Sequence, residues 1–322
     1  MPAGTDHRQP SAKEHRDQHD RRRGPPGADG VTTGLGQRPP VAGGIDLDLP
    51  GDDVRLRATR WPGAGTPVLL LHGLASTRRF WDLVVPGLSG LPLLALDQRG
   101  HGDSGRPPGP YDGATVVRDA LTALDALGIS RAVVVGHSWG AWTALRIAEQ
   151  APERVLAVVA VDGGLAAPVA PGADRAAARR RLEPPRTAVD PERLPELLRS
   201  GPLGRWWSPA VEGALLPIFG VSEDGMARAR LPFEAHMAII DDLLDSDSGA
   251  VLAGVRCPAW LVACDTGNGE PYAAGKLAAL DAAGAALAQP RLLRWTGALH
   301  DVPLQWPALV SGLVRAAVEE LA

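Results

Sequence analysis

The chain has 322 residues, of which 45% are hydrophobic and 22% charged, with a net charge of -4. That length accommodates one large α/β domain with an insertion or two ordinary domains, and the composition excludes a fibrous or wholly disordered protein. The mildly acidic balance excludes a basic field able to hold phosphate backbones or an anionic membrane, so neither nucleic acid nor membrane is an expected partner.

From Met1 to about Gly44 the sequence is polar, rich in Pro, Gly, Arg, His and Asp, and without periodicity. Such a stretch cannot bury enough apolar area to offset its ordering entropy and is predicted to be a disordered tail. Arg21-Arg22-Arg23 is followed by Gly24-Pro25-Pro26-Gly27, where an export signal needs an apolar segment. No apolar run approaches the ~20 residues that span a bilayer, and the chain is expected to be soluble and cytoplasmic.

From Ile45 onward short apolar runs alternate with helical patterns, which predicts an α/β fold with a mostly parallel sheet flanked by helices. The predicted strands are Val54–Trp61, Pro67–Leu71, Leu91–Asp97, Ala132–Gly136, Val155–Val161, Ala259–Cys264 and Arg291–Trp295. Helices are expected over Ala114–Leu127, where Val117, Ala120, Leu121 and Leu124 share a face, from Trp142 through Ala148, and near Ala273–Ala288 and Ala308–Leu321. Between Leu165 and about Ala253 the alternation breaks. Helical pieces there are interrupted by Pro184, Pro185, Pro195, Pro202 and Pro209, with no convincing strand, which predicts a helical cap inserted between two core strands. Cys257 and Cys264 sit in or beside one apolar segment and are expected to fill space.

The segment Val133–Leu145 turns from a β-branched run into a helical pattern through Gly136-His137-Ser138-Trp139-Gly140. Glycines two residues to either side remove side chains that would collide as a strand turns directly into a helix around a strained central residue. Ser138 is thereby pushed out at the carboxyl edge of the sheet, with the helix N-terminus behind it favouring developing negative charge. An ordinary turn with an N-capping serine is the alternative reading. Three further segments fall in a compatible order. His72-Gly73-Leu74 follows a strand, where a backbone N–H could join that of Trp139 in an oxyanion hole. A glycine-rich turn runs from Asp97 to Gly105, and Gly297-Ala298-Leu299-His300-Asp301 lies between the last strand and the last helix.

With these four motifs in this order, the chain from Ile45 to Ala322 resembles the α/β-hydrolase family, specifically its capped branch of esterases, lactonases, epoxide hydrolases and haloalkane dehalogenases. The resemblance implies a nucleophile at Ser138, a general base at His300, and oxyanion donors at Leu74 and Trp139. The commonest family pattern places the acid a few residues past the strand Ala259–Cys264, where Gly267 stands. Two replacements are available, Asp162, at the end of the strand Val155–Val161 and an acid position in some capped members, and Asp265; beyond these stand Glu270 or no acid at all. Gly-His-Ser-Trp-Gly is also similar to the Gly-His-Asp-Trp-Gly of epoxide hydrolases and dehalogenases. There the carboxylate forms an alkyl ester that water cleaves; a serine would form an inert ether, which leaves acyl transfer at a carbonyl as the natural chemistry.

Trp206, Trp207, Phe219, Phe233 and His236 in the cap either line a substrate cavity or pack against the core. His72, His101 and His137 read as local hydrogen-bonding residues, and they lack metal-ligand spacing. Asp103 and Ser104 read as turn residues. The expected function is a serine hydrolase that needs no cofactor and no metal and cleaves a small to medium apolar ester, lactone or thioester. A carbon–carbon hydrolase acting on a diketone and a slow-turnover ligand receptor on the same fold are the alternatives.

Overall fold

A computed structural model describes Met1 and residues 33–36, 38–165, 174–267 and 271–321. Eight strands form one sheet: β1 (Ile45–Pro50), β2 (Arg55–Trp61), β3 (Val68–Leu71), β4 (Leu93–Leu96), β5 (Ala132–His137), β6 (Val155–Val161), β7 (Ala259–Asp265) and β8 (Pro290–Thr296). Their order across the sheet is β8-β7-β6-β5-β3-β4-β2-β1. Strands β3 to β8 pair in parallel, while β2 is antiparallel to both β4 and β1.

The central strands are apolar without interruption because both faces of the sheet are covered. Along β5 the side chain of Val134 joins one core with Leu69, Leu71, Val158 and Leu261. Its neighbours Val133 and Val135 join the opposite core with Leu70, Val159 and Val262. This is the two-residue alternation of a pleated strand expressed on two buried faces. Helices α1 (Gly113–Ala126) and α2 (Trp139–Gln150) contribute to the first core, and α5 (Pro307–Glu319) to the second. Helix α4 (Pro271–Ala286) connects β7 to β8, and α3 (Phe233–Asp245) lies in the segment between β6 and β7. Among the described residues no helix is long and apolar enough to cross a membrane.

The structure departs from the sequence expectations in three places. Strand β1 was not anticipated: its Asp46 and Asp48 make it look like surface chain, but as the sheet edge it keeps one face wet while Leu49 is buried. The β6–β7 insertion contains helices at Arg175–Arg181, Leu194–Arg199, Pro209–Leu215 and Ser248–Gly254 besides α3, yet also two antiparallel strands, Phe219–Val221 and Ala227–Ala229. Three-residue strands around a turn carry too little periodicity to be read in advance. The expected tail, residues 1–44, lies mostly outside the described residues, but its end is built into the fold. Thr33 and Gly34 pair with Val221 and Gly220, Arg38 donates to the Pro209 carbonyl at 2.9 Å, and Trp61 Nε1 donates to the Val41 carbonyl at 2.7 Å.

The insertion is bound to the core through charge. Arg230 Nη2 donates to Asp103 Oδ1 at 2.8 Å, and Arg106 Nε donates to the Arg230 carbonyl at 2.9 Å. The other Asp103 oxygen accepts from Arg78 at 3.1 Å. Arg78 is itself buried against Asp97 and Asp46, so the loop after β4, the edge strand β1 and the insertion share one polar network.

Candidate active site

At the end of β5 the backbone makes the sharp bend that the glycine spacing predicts. Ser138 has φ 54° and ψ -119°, a left-handed conformation for a residue with a side chain. The flanking glycines are there because backbone atoms occupy the place of a Cβ: at Gly136 it would lie 2.0 Å from the Gly140 carbonyl oxygen, and at Gly140 2.2 Å from that of Leu71. Strain of this kind costs about 1–3 kcal/mol and persists only where the surroundings hold it. Part of that hold comes from β6, since Ser138 N donates to the Val161 carbonyl at 3.0 Å. Ser138 stands at the N-cap position of α2, makes no side-chain capping hydrogen bond there, and remains partly accessible.

The next strand over ends in a second strained residue. Asp162 follows β6 with φ 47°, and its Oδ2 lies 2.7 Å from His300 Nδ1. Asp265 does not reach the histidine; its Oδ1 accepts from Gly267 N at 2.9 Å, an Asx turn at the end of β7. Glu270 lies outside the described residues. Of the two described acid candidates, Asp162 is thus the one brought to His300.

The Asp162 side chain is fully buried, and burial alone would raise its pKa. Hydrogen bonding and charge from His300, the nearby Lys276 ammonium and the Cys264 N–H donation at 2.7 Å outweigh that, and the carboxyl sits below the ordinary range. For His300 the surrounding protein opposes charge, but the Asp162 hydrogen bond and charge, helped by Asp301, raise its pKa. With Nδ1–H directed at Asp162, the imidazole presents Nε2 as the basic nitrogen.

The loop carrying His300 is held at both ends. Gly297 N donates to the Asp265 carbonyl at 2.6 Å. Gln305 accepts from Leu299 N at 2.6 Å and donates to the Gly297 carbonyl at 3.0 Å. His137, the residue before the serine, donates from Nε2 to the His300 carbonyl at 2.8 Å. The His300 loop is therefore tied directly to the bend.

Gly73 faces the same bend, where an added Cβ would lie 3.1 Å from Ser138 Cβ. The neighbouring Leu74 N–H and the Trp139 N–H at the start of α2 donate to no protein acceptor among the described residues. Histidines brace this loop. His72 donates from Nδ1 to the Gly73 carbonyl at 2.7 Å and accepts from Gln98 N at 3.1 Å. His101 accepts from Ala75 N at 3.1 Å, donates to the Arg99 carbonyl at 2.8 Å and stacks on Trp139 at 5.2 Å. Burial keeps all of them neutral: His72 is pushed down to about 4, His137 to about 3, and His101 well below the ordinary histidine value.

The five aromatic and histidine candidates of the insertion are spread apart. Trp207 packs with Phe80, Leu304 and Leu299; Phe80 stacks on His137 at 4.7 Å, and Leu299 precedes His300. Trp207 also lines a cavity of about 400 Å³ with Arg199, Gly204 and Glu212, which none of Ser138, His300 and Asp162 lines. His236 is buried with Nε2 3.3 Å from the Leu182 carbonyl, and burial lowers its pKa. Phe233 lies under the Arg186 guanidinium at 3.4 Å, Trp206 is 5.7 Å from Arg205, and Phe219 pairs with Ala229 in its short strand. Sequence reasoning passed over Gln305 and Lys276. The first has no local signal. The second had one: Lys276 is one of two lysines in a chain with 33 lysines and arginines together.

Residues 66–191 match the family described as alpha/beta hydrolase fold. Over 107 residues the chain is 39% identical to a Caulobacter segnis protein named as a carbamate hydrolase, RutD; the match covers 32% of this chain and 40% of that one. Over 113 residues it is 39% identical to epoxide hydrolase A of Mycobacterium tuberculosis, covering 34% of this chain and 35% of the other. The chain thus spans less than half the length of these relatives. Among solved structures, that of E-2-(acetamidomethylene)succinate hydrolase superposes with a TM-score of 0.68 over 86% of this chain and 99% of its own, at 21% identity, a likeness of fold.

Proposed function

We propose that this chain, residues 66–191 of which match the family described as alpha/beta hydrolase fold, is a serine hydrolase that cleaves an ester, lactone or thioester of a small to medium apolar substrate through an acyl-enzyme. Ser138 Oγ attacks the carbonyl carbon while His300 Nε2 takes the hydroxyl proton. The carbonyl oxygen gains a full negative charge, which the Leu74 and Trp139 N–H groups stabilise together with the N-terminus of α2. On collapse the bond to the leaving oxygen or sulfur breaks, and His300 returns the proton to it. Water then repeats the sequence against the acyl-enzyme, releasing the acid and restoring Ser138. Asp162 stabilises the imidazolium in both halves without taking its proton.

One observation carries this reading: a buried carboxylate 2.7 Å from an imidazole whose loop is tied to the residue before a strained, partly accessible serine. The names of the relatives agree with hydrolysis, but the nucleophile position separates this chain from alkyl-ester chemistry because it holds serine. The β6–β7 insertion is the proposed cap, with a small-molecule substrate as the proposed partner.

A fluorophosphonate probe followed by a panel of short-chain aryl esters, lactones, thioesters and diketones tests the proposal. Labelling of Ser138 in native protein, lost on heating, with turnover of one acyl class is the expected result. A folded protein that takes no label is a ligand receptor instead, and turnover restricted to diketones reassigns the reaction to carbon–carbon cleavage.

A further inference from the structure

Asp162 is held by more than His300. Lys276 Nζ, projecting from α4, lies 3.0 Å from Asp162 Oδ1 and 2.9 Å from Oδ2, and donates also to the Cys264 carbonyl at 3.0 Å. The side chain is 15% exposed. Cys264 N donates to the same Oδ1 at 2.7 Å, so the carboxylate is fixed from β7 and α4 while its Oδ2 serves His300.

We propose that Lys276 is a positioning residue that holds the Asp162 carboxylate in line with His300 and, through its charge, limits the basicity of the imidazole. The inference rests on the serine-hydrolase reading. Two physical points support it. Asp162 stands beyond the end of its strand at a position of positive φ, and the ammonium bridges both of its oxygens to the main chain of the adjacent strand. The cation also offsets the field of Asp162 at the imidazole: Asp162 favours the imidazolium and Lys276 disfavours it.

The charged and titratable groups around the imidazole come from several elements. They are His137 at the bend, Asp301 beside it, Asp162 after β6, Cys264 on β7 and Lys276 on α4. Removing Lys276 leaves Asp162 and Asp301 both acting to retain the imidazolium.

The test is the pH dependence of kcat/KM and of fluorophosphonate labelling for the full-length wild type, Lys276→Met and Lys276→Arg. In Lys276→Met the acidic limb is expected to move to higher pH by about one unit, with kcat above the limb reduced about tenfold. Lys276→Arg, which keeps the charge, is expected to retain the wild-type limb. A Met variant that keeps the wild-type limb, whatever its thermal stability, overturns the proposal, and so does an Arg variant shifted as far as Met. If Lys276→Met fails to fold, Lys276→Gln reads the same limb without the charge. Absence of labelling in the wild type would instead remove the hydrolase reading itself.

Discussion

His137 Nε2 donates to the backbone carbonyl of His300 across 163 residues of chain, at 2.8 Å. The side chain beside the proposed nucleophile thereby sets the height of the loop that carries the proposed base. Both ring nitrogens of His137 are enclosed, and Nδ1 has no protein partner, so the Nε2 donation is the one polar contact its ring makes among the described residues.

Replacing His137 by phenylalanine keeps the stacking on Phe80 and removes that donor. The His300 carbonyl then lacks its partner, and the loop that carries His300 is free to shift. We expect kcat to fall tenfold or more with KM nearly unchanged, measured by steady-state kinetics beside thermal melts. Because burial holds the His137 pKa near 3, the tether itself does not loosen anywhere between about pH 5 and 9. An unchanged kcat in a folded variant would detach the tether from catalysis.

Asparagine at Asp162 and at Asp265 separates the two acid candidates. Asp162→Asn removes the charge that stabilises the imidazolium and should lower kcat by about 10⁴-fold, whereas Asp265→Asn removes a turn acceptor and should leave kcat within a few fold. The direction of the pH effect is also set. His300 has a raised pKa, so the wild-type acidic limb of kcat/KM should lie above about 6.5, the ordinary histidine value. Without the Asp162 charge the residual activity should have its limb at lower pH, the opposite of the shift expected for Lys276→Met. The stability linkage has two windows. The His300 contribution is complete below its unfolded pKa and is lost as pH rises through the folded one. The Asp162 contribution is complete above its unfolded pKa and is lost as pH falls through the depressed folded value. Equal kcat losses at Asp162 and Asp265 would contradict the assignment.

Gly163 sits against the bend from the far side, where an added Cβ would lie 2.1 Å from the Ser138 carbonyl oxygen and 2.6 Å from its Cα. No flexible side chain is present there to give way. Gly163→Ala should therefore displace either Ser138 or Asp162, lowering the thermal midpoint by several degrees and kcat by about 10²-fold. A variant with native melting and native turnover would show that these two strand ends tolerate separation.

Much of this molecule was legible in its residues because the relevant forces act over short stretches. The buried runs of β3, β5 and β6 announce a sheet covered on both faces, and Gly136-x-Ser138-x-Gly140 announces the bend because hard-sphere contact between backbone atoms leaves few residue types that fit. His300 could be placed by its loop between the last strand and the last helix. The choice between Asp162 and Asp265 could not be made in the same way. Both stand at the carboxyl ends of adjacent strands with similar flanking residues, and what distinguishes them is that Asp162, at φ 47°, reaches His300 while Asp265 turns back to cap Gly267. Lys276 reaches its partner over 114 residues. Strand pairing decides such juxtapositions, so the sequence alone determined the architecture and the bend, and the packed sheet decided which charges meet.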